Sequence, residues 1–187
     1  RDRLSLVGSE MCIRDRCMLP VSPQGEPLMN AVLYGVDTRA EKEISELNEE
    51  IGKENILQSC GNALTSQSVG PKILWLKKNC PKIYQKVGKI LSSTSYLVQK
   101  LTNENVIDHY TAANFTPLYD INNLNWTDAL TSNIIEVERL PKLMWTTEIA
   151  GYVSKVAADE TGLAPGTPVT VGTVSYTHLR AHETKAN

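Results

Sequence analysis

The apolar run Ala31-Val32-Leu33-Tyr34 does not alternate, and it leads through Gly35-Val36 into an acid, a threonine and an arginine: Asp37, Thr38 and Arg39. Directly afterwards the hydrophobic period changes. Ile44, Leu47 and Ile51 fall on one helical face, while Glu41, Lys42, Glu43, Glu46, Glu49 and Glu50 cover the rest. The pattern therefore predicts a buried strand ending at Tyr34 and a helix over Ala40–Ile51, which Gly52 closes. Thr38 and Glu41 have the spacing of a capping box, with the hydroxyl on one orphan N–H and the carboxylate on another. Upstream, apolar Met18–Val21 and Leu28–Tyr34 flank Ser22-Pro23-Gln24-Gly25-Glu26, which has turn chemistry. Together they predict a hairpin.

Downstream, the short apolar piece Asn55–Cys60 has no clear period, and Cys60–Val69 is a polar loop of small residues. Pro71 suits the first turn of a helix carrying Ile73, Leu74, Trp75 and Leu76, which stops before Pro81. A second short helix opens at Pro81 with Ile83 and Val87. Lys89–Leu91 reads as a strand, and Ser92–Thr94 caps a helix through Tyr96, Leu97 and Leu101. Trp75 and Tyr96 are expected in the core. Asn103–Asn105 is a turn, and Asn125 is placed to cap a helix over Trp126–Ile135. Leu140–Leu143 breaks the pattern. Ser154–Thr161 is helical with Gly162 as its left-handed cap, Pro165–Pro168 is a turn, and Val169–Val171 is a buried strand closed by Gly172-Thr173.

The two ends do not share this patterning. Arg1–Arg16 (RDRLSLVGSEMCIRDR) and Val174–Asn187 (VSYTHLRAHETKAN) have no sustained period, and both resemble translated sequencing-library adapter. They are expected to be foreign, disordered tails and are set aside, which leaves residues 17–173 as the fold. The 187-residue chain has an ordinary globular composition, 41% hydrophobic and 21% charged, which gives one domain with a real core. Its formal net charge of −2 argues against a nucleic-acid surface. No apolar run is long enough for a membrane. The four cysteines form no C-x-x-C pair, so reduced thiols and a cytoplasmic location are expected. Once the tails are removed, His109 is the sole histidine. It reads as a satisfied structural residue, and no histidine-based metal site or triad is expected.

The chemistry concentrates where the strand gives way to the helix. In α/β proteins, ligands bind at the carboxyl ends of strands and beside helix N-termini. A carboxylate and a guanidinium at Asp37 and Arg39 suit a polyhydroxylated ligand there. The same pair would equally serve to satisfy a strand–helix loop.

Four stretches carry a family resemblance: PLMNAVLYGVDTRA (Pro27–Ala40), GNALTSQSVGPKILWL (Gly61–Leu76), LSSTSYLVQKLTNENVID (Leu91–Asp108) and TGLAPGTPVTVG (Thr161–Gly172). Residues 17–173 resemble the N-terminal domain of FGGY-type carbohydrate kinases, near the xylulose kinases. The resemblance implies an α/β fold of the ribonuclease-H/actin type, here an incomplete N-terminal domain of a two-domain sugar kinase. It also implies ATP-dependent phosphorylation of a hydroxyl of a sugar or polyol, with Mg2+ as the metal. By this resemblance Asp37 accepts sugar hydroxyls, Arg39 donates to them or braces Asp37, and the Thr65–Gln67 loop lines the site, with Thr65 and Gln67 as substrate-binding residues. A homodimer of the parent enzyme is compatible with it.

The departures from the family matter as well. The family's opening D-x-G-T phosphate turn is absent, and its catalytic aspartate would fall just after Thr173, where Val174-Ser175-Tyr176 stand. The expectation is therefore a fragment that is inactive alone and binds ATP and Mg2+ poorly. The alternative is a noncatalytic metabolite- or protein-binding domain of the same fold.

Overall fold

The computed structural model describes residues 17–33, 35–127 and 133–172. The two terminal segments expected to be foreign lie outside these residues. The chain enters on strand β1 (Leu19–Val21), turns at Ser22–Glu26, and returns alongside. The return is irregular. Met18 and Val32 exchange backbone bonds of 3.0 and 2.9 Å, and Leu28 N–H reaches Pro20 O at 3.0 Å. Only isolated bridges form, at Met18–Val32 and Val21–Pro27. The expected strand over 28–34 is therefore corrected, over 28–33, to a loosely paired segment; its last residue, Tyr34, lies outside the described residues. Pro27 has no N–H for the ladder, and Leu33 is 46% exposed instead of buried. On its other edge β1 pairs antiparallel with β2 (Lys89–Leu91).

Helix α1 spans Glu41–Ile51, with Leu47 buried and Glu41 and Glu43 in its first turn, where the helix dipole favours acids. The capping box does not form. The N-cap is Ala40, with no side-chain cap bond, and Glu41 N–H instead meets the Thr38 backbone carbonyl at 3.2 Å. Just upstream the Asp37 side chain accepts from the Arg39 N–H and makes a turn of its own. Gly52 takes φ 88°, and the unassigned piece after it proves to be helix α2 (Lys53–Cys60), which buries Ile56 and Cys60.

Helix α3 (Val69–Asn79) buries Val69, Ile73, Leu74 and Leu76. Gly70 packs so closely on residues 116–117 that a Cβ there would lie 2.5 Å from Thr116 O. Helix α4 (Pro81–Tyr84) follows, and α5 (Ser93–Thr102) is capped by Ser92, whose hydroxyl accepts from Ser95 N–H. Trp75 and Tyr96 are half-buried flanks of the core, not its centre.

Strand β3 (Val106–Asp108) is fully buried and runs parallel to β6 (Lys142–Met144), with Asp108 opposite Met144. Between them stand helix α6 (His109–Ala112) and a small hairpin of β4 (Tyr119–Asp120) and β5 (Asn125–Trp126). The helix expected from Trp126 is thus corrected at its start. Trp126 pairs with Tyr119 in a strand, and its indole N–H donates to Pro141 O at 2.7 Å. The rest of that expected helix falls largely at 128–132, outside the described residues.

Strand β7 (Ile149–Tyr152) pairs antiparallel with β8 (Pro168–Thr170), and α7 (Lys155–Thr161) ends at Gly162 in the left-handed conformation. The expected burial of the last strand is corrected too. Pro168 and Thr170 are exposed, and burial is reached only at Val171.

The main core joins Leu47, Ile56, Ile73, Leu76, Ile90, Ile107, Phe115 and Leu118. Among the described residues Cys17, Cys60 and Cys80 form no disulfide, and no helix is long and apolar enough to cross a membrane.

Candidate functional site

Asp37 and Arg39 form a closed unit. Arg39 Nε donates to Asp37 Oδ1 at 2.8 Å, and Nη2 lies 2.7 Å from Oδ2. The Arg39 backbone N–H reaches Oδ1 at 3.2 Å. The Asp37 side chain is 16% exposed, against 36% for Arg39. The Arg39 side-chain bond is the main influence holding the Asp37 carboxyl below its ordinary range, against the opposing effect of burial. On its other side the guanidinium sits 4.7 Å from the centre of the Trp75 ring, an arrangement that favours a cation.

Beneath this turn Lys72 is fully buried, and its Nζ donates to Leu33 O at 2.8 Å. Burial lowers the Lys72 pKa, and the charge of Asp37 partly offsets that. A buried ammonium thus holds the carbonyl that the irregular return segment leaves without a strand partner.

The Thr65–Gln67 loop folds back on the same turn. Ser66 Oγ donates to Gly35 O at 3.3 Å, and Gly35 takes φ 69°. Thr65 Oγ1 accepts from Gln67 N–H, and Ser68 Oγ accepts from Thr65 N–H. The far end of the loop is tied to 114–116, because Val69 N–H reaches Asn114 O and Gly70 N–H reaches Thr116 O. Between these segments lies a polar cavity of about 220 Å³, lined by Thr65, Gln67, Asn62, Ser68 and Asn114 among others. Thr65 and Gln67 therefore face one pocket together. Asp37 and Arg39 are not among its lining residues and connect to it through Gly35 and Ser66.

A second cavity, of about 460 Å³, adjoins the first along Asn62, Ala113 and Asn114. His109 and Trp145 form its wall, with ring centres 4.3 Å apart, and His109 Nδ1 shares a 2.7 Å hydrogen bond with the Tyr119 hydroxyl. The two residues meet because each directly follows one strand of the parallel pair, at Asp108 and Met144. The histidine read as structural has the partner that reading requires, and it also faces a cavity. Trp145, Asn62 and Asn114 were missed by the sequence reading. The overlooked signal was Lys142–Met144, a strand without a single β-branched residue.

Among the described residues no group of three or more His, Cys, Asp or Glu side chains is assembled for a metal ion.

Residues 16–175 match the FGGY family of carbohydrate kinases, N-terminal domain. Autoinducer-2 kinase of Yersinia pestis bv. Antiqua (strain Angola) is 32% identical over 140 residues, which is 73% of this chain and 26% of that protein. Xylulose kinase from Rhodospirillum rubrum superposes with a TM-score of 0.80 at 26% identity, covering 86% of this chain and 33% of that one. Plasmodium falciparum glycerol kinase with ADP superposes at 0.75 and 27% identity, covering 86% and 32%. The chain thus spans about a quarter of the length of the curated relatives it matches.

Proposed function

Starting from the FGGY family of carbohydrate kinases, to which this chain belongs, we propose that it is the acceptor-recognising part of an enzyme that transfers a phosphoryl group from ATP to a hydroxyl of a sugar or polyol. The observation that carries this reading is the polar pocket. Thr65 and Gln67 converge on it, and Ser66, between them in the chain, donates to the carbonyl of Gly35, two residues before Asp37. The relatives' names, xylulose, glycerol and autoinducer-2 kinases, support a small polyhydroxylated acceptor.

Phosphoryl transfer of this kind is mostly positioning and electrostatics. In the proposal Thr65 and Gln67 orient acceptor hydroxyls by hydrogen bonds. Arg39 braces Asp37, which meets a further hydroxyl. An ionised carboxylate offers about four acceptor sites, and Arg39 already occupies three, two on Oδ1 and one on Oδ2. Asp37 therefore has room for one strong, charge-assisted bond. ATP with Mg2+ supplies the transferred group and charge neutralisation when bound, and the residues argued for here act on the acceptor alone.

The test is an ADP-release assay on a full-length protein that contains residues 17–172, with D-xylulose, D-gluconate and glycerol. The expected result is turnover with at least one of them, with Gln67→Ala raising the acceptor KM and leaving the ATP KM unchanged. ADP release with none of them, or an equal loss toward ATP and acceptor, overturns the reading.

A further inference from the structure

The larger cavity has no role in the reading above, yet its chemistry is specific. Tyr110, Ile121, Leu124 and Trp145 are each 39–46% exposed, and all four ring this one concavity. Such a cluster of apolar exposure marks a recognition surface more than a solvated one. Polar groups stand at defined places among them. His109 is fixed from two sides, by the Tyr119 hydroxyl at Nδ1 and by the face of Trp145. That leaves Nε2 as the ring nitrogen to meet a ligand. Asn114 spends its amide N–H groups on Tyr110 O and Thr111 O, which leaves its carbonyl oxygen as an acceptor. Asn62 completes the border with the polar pocket. Small-molecule sites combine such aromatic walls with a few placed polar groups, commonly in roughly 300–1,000 Å³. The polar pocket, at about 220 Å³, falls short of that range, and the neighbouring cavity, at about 460 Å³, lies within it.

We propose that the His109–Trp145 cavity is a second acceptor subsite, taking the carbon chain distal to the Gln67 pocket in acceptors longer than three carbons. The C–H face of the chain packs on Trp145, while a distal hydroxyl meets His109 Nε2 or the Asn114 carbonyl. This subsite rests on the acceptor reading of the adjoining pocket and adds a length preference to it. The subsite discriminates by contact area, since a three-carbon polyol held at Gln67 leaves Trp145 untouched.

The experiment is an NMR titration of the 187-residue chain with D-xylulose, D-gluconate and glycerol, following the Trp145 indole N–H and the Gln67 side-chain amide. The expected result is that D-xylulose or D-gluconate shifts both signals and glycerol shifts only Gln67. Trp145→Ala should weaken binding of the longer acceptor about tenfold without changing glycerol binding, and Trp145→Phe should restore most of it. A Gln67 response without Trp145 overturns the subsite and leaves the acceptor reading standing. Silence at both positions overturns the two together. A Trp145 response alone overturns the subsite as an extension of the Gln67 pocket, because no acceptor is then held at Gln67. Because the titration of the unaltered chain decides on its own, a variant that fails to fold does not obscure the answer.

Discussion

The Asp37–Arg39 turn and the His109–Trp145 cleft both flank the polar pocket, and they differ in who supplies the partner. In the turn the charge is answered from within: three contacts from Arg39 occupy the Asp37 carboxylate, Trp75 backs the guanidinium, and Lys72 holds the chain below. In the cleft, aromatic faces and an imidazole are fixed in place while large side chains stay exposed. The first arrangement fixes geometry before a ligand arrives, and the second leaves contact area for one. A charged pair near a pocket is therefore weaker evidence for a contact than an open, braced aromatic wall. A satisfied carboxylate has less left to offer.

The largest way to break this contrast is to remove the support under the turn. Lys72→Ala empties a fully buried position and orphans the Leu33 carbonyl, with an expected loss of about 2–5 kcal/mol in chemical denaturation. Lys72→Met keeps the volume and should cost less. In both variants amide exchange over Gly35–Arg39 should rise while the cleft stays protected. Equal exchange in the two regions would show that they are not separately held.

Next in size is Tyr119→Phe, which deletes the hydroxyl fixing His109 Nδ1. About 0.5–1.5 kcal/mol of stability should go with it, and the His109 ring resonances should broaden or shift. An unchanged His109 signal would mean that Trp145 alone orients the ring.

Arg39→Met is smaller, about 0.2–1 kcal/mol near neutral pH, since Arg39 is partly exposed. Its pH signature is more telling. Arg39 lowers the Asp37 pKa, so the stability linked to Asp37 is complete above the ordinary carboxylate value of about 3.9 and is lost as pH falls through the lower folded value. Without Arg39 the acid limb of the stability curve should flatten. An identical limb would assign the acid sensitivity to other carboxylates. Smallest of all is Glu41→Ala. With no capping box it should change the melting temperature by an amount equivalent to under about 0.5 kcal/mol, checked by thermal denaturation.

What could be read in the sequence was what nearby residues decide. The helices at Glu41–Ile51 and Lys155–Thr161, with Gly52 and Gly162 at their ends, follow from local period and glycine conformation. The Asp37–Arg39 pair was equally legible, being two residues apart, and its proximity to the Thr65–Gln67 loop followed from family resemblance, not from any local rule. The cleft was not legible, because it depends on the parallel register of Val106–Asp108 with Lys142–Met144, a pairing across more than thirty residues. The rule that ligands gather at the carboxyl ends of strands was applied to Tyr34. Among the described residues the parallel pair instead delivers His109 and Trp145. The capping box failed for a local reason of its own, since the Glu41 N–H that the Thr38 hydroxyl would need goes to the Thr38 backbone carbonyl and the helix starts only after Ala40.

The most direct test of the proposed acceptor site is Asp37→Ala in the gene product that carries this chain, with sugar kinetics and melting temperature measured on the same preparation. One remaining charge-assisted bond, worth about 1.5–3 kcal/mol, predicts that kcat/KM for the acceptor falls by roughly one to two orders of magnitude. The melting temperature should fall by only a few degrees and the ATP KM should hold. Normal acceptor kinetics per folded molecule, accompanied by a large loss of stability, would contradict the account and leave Asp37 as part of the scaffold.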